Sequence, residues 1–189
     1  MSCDPFTLLP LGATTRKICP QGHAIFRQGK PTAGLFRVHS GAVVMQRTTA
    51  DGDSVLVHKA TAGQVFAEAS LFTSRYHCDA VCAEASEIDV ARKSSVLDAL
   101  QTNPAFSLAF CALLARSVHQ SRQTIEILTL TSAEERLLAA VQLGMMTGTI
   151  AELAQRIGLT QATCYRALSA LTRAGKLHKH GRGQYVLAP

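Results

Sequence analysis

The chain has 189 residues and a formal net charge of +6, and 47% of its residues are hydrophobic. This composition predicts a globular protein of one large or two small domains and excludes a disordered chain. The N-terminus lacks a basic stretch followed by an apolar run, and the most apolar segment, residues 105–115, is shorter than the roughly 20 residues of a membrane span. We therefore expect a cytoplasmic protein without membrane association, whose six cysteines are reduced.

The positive charge is concentrated at the C-terminal end of the chain. Residues 149–189 contain six basic residues and one acidic residue, a net charge of +5. A basic terminal segment attached to a nearly neutral body is typical of nucleic-acid binding, but a solvated basic surface gives the same count. The charge indicates a polyanionic partner only if a matching binding motif accompanies it.

The first half of the chain has the pattern of antiparallel β structure. Short runs rich in Val, Ile, Phe and Leu are separated by glycine-containing turns at close spacing. Asp51 and Gly52 lie between two alternating runs, and this pair strongly indicates a hairpin because both residues tolerate positive φ. Several short strands with regular turns predict a small barrel or sandwich.

Helical periodicity begins near Ser94, where a short helix is expected to continue to Leu100. Pro104 suits the first turn of a second, longer helix. Seven positions in this helix alternate spacings of four and three residues, as in a coiled-coil seam that faces a second copy. They are Ser107, Cys111, Leu114, Val118, Ser121, Ile125 and Leu128. We interpret the segment as a dimerisation helix, with packing against its own domain as the alternative.

Two capping-box patterns mark further helix starts near the C-terminus. Ser132 is followed by Glu135, and Thr149 is followed by Glu152. The helix after Thr149 breaks at Gly158, whose residue type allows the positive φ of a tight turn. This order of elements predicts the first helix and the turn of a helix-turn-helix motif.

A third capped helix completes the motif and supplies the predicted DNA-binding residues. Arg166 can pair with guanine and Gln161 with adenine in the major groove, whereas hydroxyl groups on the same face can bind phosphate. A basic hairpin after the helix is expected to form a wing. The predicted DNA-binding residues are Thr160, Gln161, Ala162, Thr163, Tyr165, Arg166, Arg173 and Arg182.

Residues 22–29, 34–41 and 63–72, the long helix and the C-terminal motif together resemble the CRP/FNR regulators over nearly the whole chain. The resemblance implies an α+β fold with a cyclic-nucleotide-binding-like antiparallel β-roll at residues 1–103, a dimerisation helix at 104–131 and a winged helix-turn-helix at 132–189. It implies a homodimeric transcription regulator of a near-palindromic double-stranded DNA operator, with RNA polymerase as a partner. Effector binding in the β-roll would reposition the DNA-binding domains.

The sequence departs from the pattern of the cyclic-nucleotide-binding members. Glu68 occupies the position of the glutamate that holds the ribose, but Cys78 and Asp79 stand where an arginine and a serine bind the cyclic phosphate. A carboxylate repels a phosphate, so cyclic AMP is not the expected effector. An iron–sulfur cluster is not expected either, because Cys3 and Cys19 are too few and too far apart for four thiolate ligands.

The expected effector pocket lies where the family places its ligand. Its predicted residues are Glu68, Ala69, Ser70, Tyr76, His77, Cys78, Asp79, Ser121 and Arg122. Histidine and cysteine are ligands of zinc, copper and haem iron, and a low-pKa thiol can be oxidised, so a metal, haem or redox signal through His77 and Cys78 is one hypothesis. The predicted metal ligands are His77, Cys78, Cys82 and Cys111. The alternative is a constitutive or organic-ligand regulator with structural cysteines.

Two other classes of function compete with this interpretation. An enzyme would require a catalytic motif. The sequence contains no glycine-rich phosphate loop, no His-Glu metal-hydrolase spacing and no nucleophile elbow. An interaction module with the same β fold but without DNA binding would not need the basic helix-turn-helix. We therefore predict a DNA-binding regulator and not an enzyme.

Overall fold

The computed structural model describes residues 4–49, 51–52, 54–181 and 183–188. Cys3 and the predicted DNA-binding residue Arg182 lie outside the described residues. The chain divides into two compact units, Met1–Leu114 and Ala115–Pro189. The division falls inside the long helix, so that helix contributes to both units. The predicted domain boundaries at residues 103 and 131 stay predictions.

The N-terminal unit is built from two antiparallel sheets, as the strand and turn pattern predicts. The strands of the first sheet run in the order β1-β8-β3-β6, and those of the second in the order β2-β7-β4-β5. Their bounds are β1 Thr14–Cys19, β2 Ala24–Phe26, β3 Gly34–Ser40, β4 Ala42–Thr48, β5 Ser54–Thr61, β6 Val65–Phe66, β7 Asp79–Cys82 and β8 Ser86–Arg92. The expected hairpin at Asp51 and Gly52 is confirmed, since β4 and β5 pair antiparallel on either side of it.

Side chains from both sheets form one core between them. Phe26 stacks on Tyr76 with ring centroids 3.7 Å apart, and Phe36 stacks on Phe66 at 5.3 Å. Val38 and other aliphatic side chains complete the same buried cluster. Aromatic and branched side chains therefore occupy the interior of the β-roll.

Helices account for most of the remaining chain. They are α1 Lys93–Thr102, α2 Pro104–Thr129, α3 Ala133–Gln142, α4 Ile150–Arg156 and α5 Gln161–Arg173. The short helix predicted from Ser94 to Leu100 is confirmed and is slightly longer at both ends. In the described part of the chain, no helix combines the length and the apolar character of a membrane span.

The C-terminal unit has its own hydrophobic core, to which α3, α4 and α5 contribute. Both predicted capping boxes are confirmed, with the Ser132 hydroxyl accepting from the Glu135 amide and the Thr149 hydroxyl accepting from the Glu152 amide. After α5, strands β9 Leu177–Gly181 and β10 Gln184–Leu187 pair antiparallel as the predicted hairpin. Local side-chain signals therefore set the start of each helix in this unit.

Candidate nucleic-acid interface and sensing region

Helices α4 and α5 are joined by the tight turn that the sequence predicts. Gly158 has a φ of 66°, in the region that only glycine enters at little cost. Leu153 of α4 and Ile157, the residue that caps its C-terminal end, pack with Cys164 and Leu168 of α5, and all four side chains are buried. This packing fixes α5 relative to α4, as a helix-turn-helix requires.

The outer face of α5 carries the predicted contact residues. The polar face of α5 is exposed to solvent: Gln161, Ala162, Tyr165, Arg166, Ser169 and Arg173 are all exposed, and Thr163 is half-buried. The helix contains no Asp or Glu. A neutral-to-basic helix face that is free of carboxylates can approach phosphate and base edges without charge repulsion.

Three side chains at the start of α5 form a hydrogen-bonded series. The Thr160 hydroxyl accepts from the Thr163 amide at 3.1 Å and lies 2.9 Å from the Thr163 hydroxyl. The Arg166 guanidinium in turn donates to the Thr163 hydroxyl at 3.1 Å. Arg166 is therefore held towards the N-terminal end of α5, the part of a recognition helix that contacts base edges.

Some of the basic residues of this unit have a structural role. Arg156 donates to the backbone carbonyls of Met145 and Thr147, at 2.9 and 2.8 Å. These bonds hold the segment between α3 and α4. Arg156 therefore contributes to the net charge of the segment, but its hydrogen-bond donors are used within the protein.

Arg136 has a structural role that the sequence does not indicate. Its guanidinium donates to the carbonyl of Leu130 at 2.8 Å and to those of Ile157 and Gly158 at 3.3 Å each. It therefore ties the chain just after α2 to the turn of the helix-turn-helix. Sequence spacing cannot reveal this tie, because the carbonyls of Ile157 and Gly158 lie more than 20 residues from Arg136.

The expected effector region begins with a short 3-10 turn, Glu68–Ser70. Ala67 before this turn has a φ of 68°, which is unusual for a residue other than glycine. The buried Ser70 hydroxyl lies 3.0 Å from Nδ1 of His77, whose side chain is exposed. The structure thus brings Ser70 and His77 together.

Cys78 and Asp79 have opposite environments although they are adjacent. Burial raises the pKa of the Cys78 thiol, and the charge of Asp79 raises it further. Burial also disfavours the Asp79 carboxylate, but the Gln28 amide and the Arg27 guanidinium, each 2.7 Å away, outweigh this and lower its pKa. The Cys78 thiol therefore lies beside an anion, and the raised pKa does not support a low-pKa thiol at this position.

Tyr76 belongs to the core of the β-roll. Its ring stacks on Phe26, and its hydroxyl accepts a 2.8 Å hydrogen bond from the Ala33 amide. Its side chain is buried, and its place in the predicted effector pocket stays a prediction. The stacking partner, Phe26, lies in β2, far from Tyr76 along the chain, so the sequence around His77 could not indicate this contact.

The four predicted metal ligands are not assembled into a site. Within the residues that the structure describes, no three or more His, Cys, Asp or Glu side chains are grouped so that they could hold a metal ion. Cys78 and Cys82 are buried, whereas Cys111 is exposed. Among the other predicted effector residues, Glu68 is half-buried, and Ala69, Ser121 and Arg122 are exposed.

Both parts of the chain match known family models. Residues 16–103 match the cyclic nucleotide-binding domain, and residues 136–181 match the IclR helix-turn-helix domain. The first covers the two sheets and α1, and the second covers α4, α5 and most of α3. The two models together correspond to a sensing-type domain followed by a DNA-binding motif.

Several known proteins are similar to this chain over most of its length. The cyclic AMP receptor protein of Thermus thermophilus is 28% identical over 175 residues, which cover 88% of this chain and 81% of that protein. Electron transport regulator A of Shewanella oneidensis is 25% identical, with 98% of this chain and 82% of that protein covered. The structure of FixK2 from Bradyrhizobium japonicum has a TM-score of 0.71 at 22% identity and covers 93% of both chains, which shows a shared fold.

Proposed function

Because this chain belongs to the CRP/FNR family of DNA-binding transcription regulators, with a cyclic-nucleotide-binding-like domain and a helix-turn-helix, we propose that it binds a near-palindromic operator as a homodimer. In this proposal α5 of each subunit enters the major groove. Arg166 and Gln161 read base edges, and Thr160, Thr163, Tyr165 and Arg173 contact the backbone. RNA polymerase is the proposed partner at the promoter.

The observation that carries this proposal is the exposed face of α5. Arg166 is presented at the N-terminal part of the helix by its hydrogen bond to Thr163. Arginine in this position can donate two hydrogen bonds to O6 and N7 of guanine, which gives sequence selectivity as well as affinity. Because exposed helix faces are ordinarily polar, it is the basic side chains and the absence of Asp and Glu on this face that support the proposal.

The proposed homodimer rests on the side chains of α2. Val118, Ile125 and Leu128 are 50%, 61% and 42% exposed and occupy the seam positions expected from the sequence. Seam positions of this kind are normally buried against a partner helix. Two copies of α2 packed together would cover them and would place two α5 helices for the two halves of an operator.

We propose further that the effector is not a cyclic nucleotide. The positions where the family resemblance places an arginine and a serine for the cyclic phosphate are occupied by the buried Cys78 thiol and the Asp79 carboxylate. Asp79 is already held by Arg27, so that guanidinium is not available to a phosphate without breaking an ion pair. A cyclic phosphate would meet an anion where it needs hydrogen-bond donors.

The DNA-binding proposal is tested by selection of sequences from a random double-stranded pool, followed by gel shift of the enriched fragment. We expect one enriched motif with two-fold symmetry and binding that weakens steeply with salt. Retention of the pool without enrichment of any sequence would contradict the proposal. The fragment selected in this way then serves as the operator in further measurements.

The effector proposal is tested by titration calorimetry with cyclic AMP and cyclic GMP, with an Asp79→Ser, Cys78→Arg double variant as the comparison. We expect no binding heat for the natural chain. Heat with micromolar affinity for the natural chain would contradict the proposal. Binding gained by the double variant would show that these two positions determine the rejection.

A further inference from the structure

A groove runs along the exposed side of α5 within the C-terminal unit. It has a volume of about 600 Å³, which is within the range of ligand-binding sites, and most of its polar side chains are exposed to solvent. The start of α3 forms one wall of the groove and α5 forms the other. The lining residues include Ala133, Glu134, Thr163, Arg166, Ala170 and Arg173. Because two of these are proposed DNA contacts, the groove is part of the surface that would face DNA.

Packing and capping fix the α3 wall of the groove. Ala133 at the start of α3 packs against the buried cluster that contains Ala167 of α5. The capping box of Ser132 and Glu135 fixes the first turn of the same helix. Glu134 belongs to this turn, but it takes no part in the capping box and its side chain is exposed. The Glu134 carboxylate is therefore positioned at the groove and is not used to cap the helix.

Glu134 differs in charge from the other side chains at the groove. Among the described residues that line it, Glu134 carries the only carboxylate, whereas Arg166 and Arg173 carry positive charges. Within the part of the chain that the structure describes, Glu134 forms no ion pair. The groove therefore has one uncompensated negative charge beside its two arginines.

On the basis of the DNA-binding function proposed above, we propose that Glu134 limits the affinity of this groove for a DNA backbone, so that stable binding requires the base contacts of Arg166 and Gln161. A phosphate seated in the groove is attracted by the arginines and repelled by the Glu134 carboxylate. The operator offers base contacts that outweigh this repulsion. A duplex of another sequence offers backbone contacts alone, so the same repulsion weighs against a stable complex.

A carboxylate in the first turn of a helix also has a structural effect. It interacts favourably with the positive end of the helix dipole, which stabilises the helix by a small amount. A purely structural role of Glu134 predicts that loss of its charge lowers the melting temperature and leaves the affinity for DNA unchanged. Repulsion of a DNA backbone predicts instead that the affinity rises, so the measured affinity distinguishes the two roles.

The test is the affinity of Glu134→Gln for the selected operator and for a scrambled duplex, measured by fluorescence anisotropy at increasing salt concentrations. Glutamine keeps the size of the side chain and removes its charge. At low salt we expect roughly three- to tenfold tighter binding to both duplexes, because like charges a few ångströms apart at a protein surface repel each other by this order. The gain should shrink as salt is added, and the salt slope should become steeper by up to about 1. The variant should also retain the scrambled duplex up to a higher salt concentration than the natural chain does.

A reversal of the charge and a matched control complete the design. Glu134→Lys should bind both duplexes more tightly than Glu134→Gln does, because attraction then replaces repulsion. Glu126→Gln removes the same charge at an exposed position of α2 that does not line the groove. It should leave both affinities close to those of the natural chain. The melting temperature of each variant shows that it is folded under the conditions of the measurement.

Unchanged affinity of Glu134→Gln for both duplexes at low salt would overturn the proposed role of Glu134. An equal gain in Glu126→Gln would overturn it as well, because the net charge of the chain alone would then explain the effect. Failure of the natural chain to prefer any sequence would contradict the proposed operator binding, and it is recognised without any variant. In that case a gain of Glu134→Gln on the scrambled duplex would still support the repulsion between Glu134 and a DNA backbone.

Discussion

The Asp89 carboxylate illustrates how single residues stabilise the β-roll. It accepts from Arg16 at 2.8 Å and from Arg37 at 2.6 Å, and Arg37 also pairs with Asp4 and lies over the Phe6 ring. Burial disfavours its charge, but the two arginines outweigh burial and lower the pKa of Asp89. The network thereby ties the N-terminal segment to β1, β3 and β8.

The lowered pKa of Asp89 predicts acid sensitivity. Because the folded-state pKa lies below the unfolded value of about 3.9, this stabilisation is fully present above that pH and is lost as the pH falls through the folded pKa. Asp89→Asn should lower the free energy of unfolding by about 1–3 kcal/mol at pH 7, a range that allows for the solvent exposure of Arg16. Urea unfolding from pH 7 to pH 2 should show a shallower decline for this variant.

The control is Asp98→Asn, a change at an exposed carboxylate on α1. It should leave both the stability at pH 7 and the acid dependence close to those of the natural chain. Equal losses for the two variants would contradict the assigned role of Asp89.

The conformation and the close neighbours of Gly158 predict that its substitution lowers the stability of the protein. A Cβ there would lie 3.0 Å from Cδ2 of Leu128 and 3.2 Å from Nη1 of Arg136, and its φ of 66° strains any other residue. Gly144 has a similar φ of 68° but nothing within 4 Å of the added carbon. Gly144→Ala should cost about 1 kcal/mol from backbone strain, and Gly158→Ala should cost about 1 kcal/mol more from crowding. Thermal unfolding measures the loss of stability in both variants. Equal losses would exclude the effect of crowding at Gly158.

At the scale of elements, Arg136 holds the chain after α2 against the turn between α4 and α5. Arg136→Met keeps most of the aliphatic stem but removes the donors to Leu130, Ile157 and Gly158. Hydrogen bonds from a charged donor contribute about 1.5–3 kcal/mol, so a loss of this size is expected in unfolding of the C-terminal unit. Faster amide exchange at the end of α2 and in the turn should accompany it.

The matched control for this change is Arg116→Met, at an exposed arginine on α2. It removes the same charge without removing those three contacts. If the amide protons at the end of α2 and in the turn exchange at the same rate in both variants as in the natural chain, Arg136 does not hold these elements together.

The elements also show which features the sequence can predict. Capping boxes at Ser132 and Thr149 and the glycine at 158 act within a few residues, so their patterns located the helices of the C-terminal unit. The Ile157 and Gly158 carbonyls that accept from Arg136 come from a distant part of the chain, and only the folded structure brings them to this side chain. For the same reason the sequence could not indicate that Tyr76 stacks on Phe26 in the core.

At the scale of the whole molecule, the proposed function requires two copies of the chain. Ile125→Glu places a charge on an exposed seam position of α2 and should leave each chain folded, because the side chain is already 61% exposed. Sedimentation equilibrium should show a dimer for the natural chain and a monomer for the variant. Gln120→Glu, at another exposed position of α2, is the control and should remain dimeric. A dimeric Ile125→Glu variant would exclude this helix face as the interface.

The most direct test of the central claim is the affinity of Arg166→Ala and Arg173→Ala for the selected operator and for a scrambled duplex, measured by fluorescence anisotropy at several salt concentrations. If α5 reads base edges through Arg166, that variant should lose about 1–3 kcal/mol on the operator and little on the scrambled duplex. Arg173→Ala should weaken both duplexes similarly and reduce the salt slope by about 1. Equal losses of Arg166→Ala on both duplexes would contradict sequence reading by this helix.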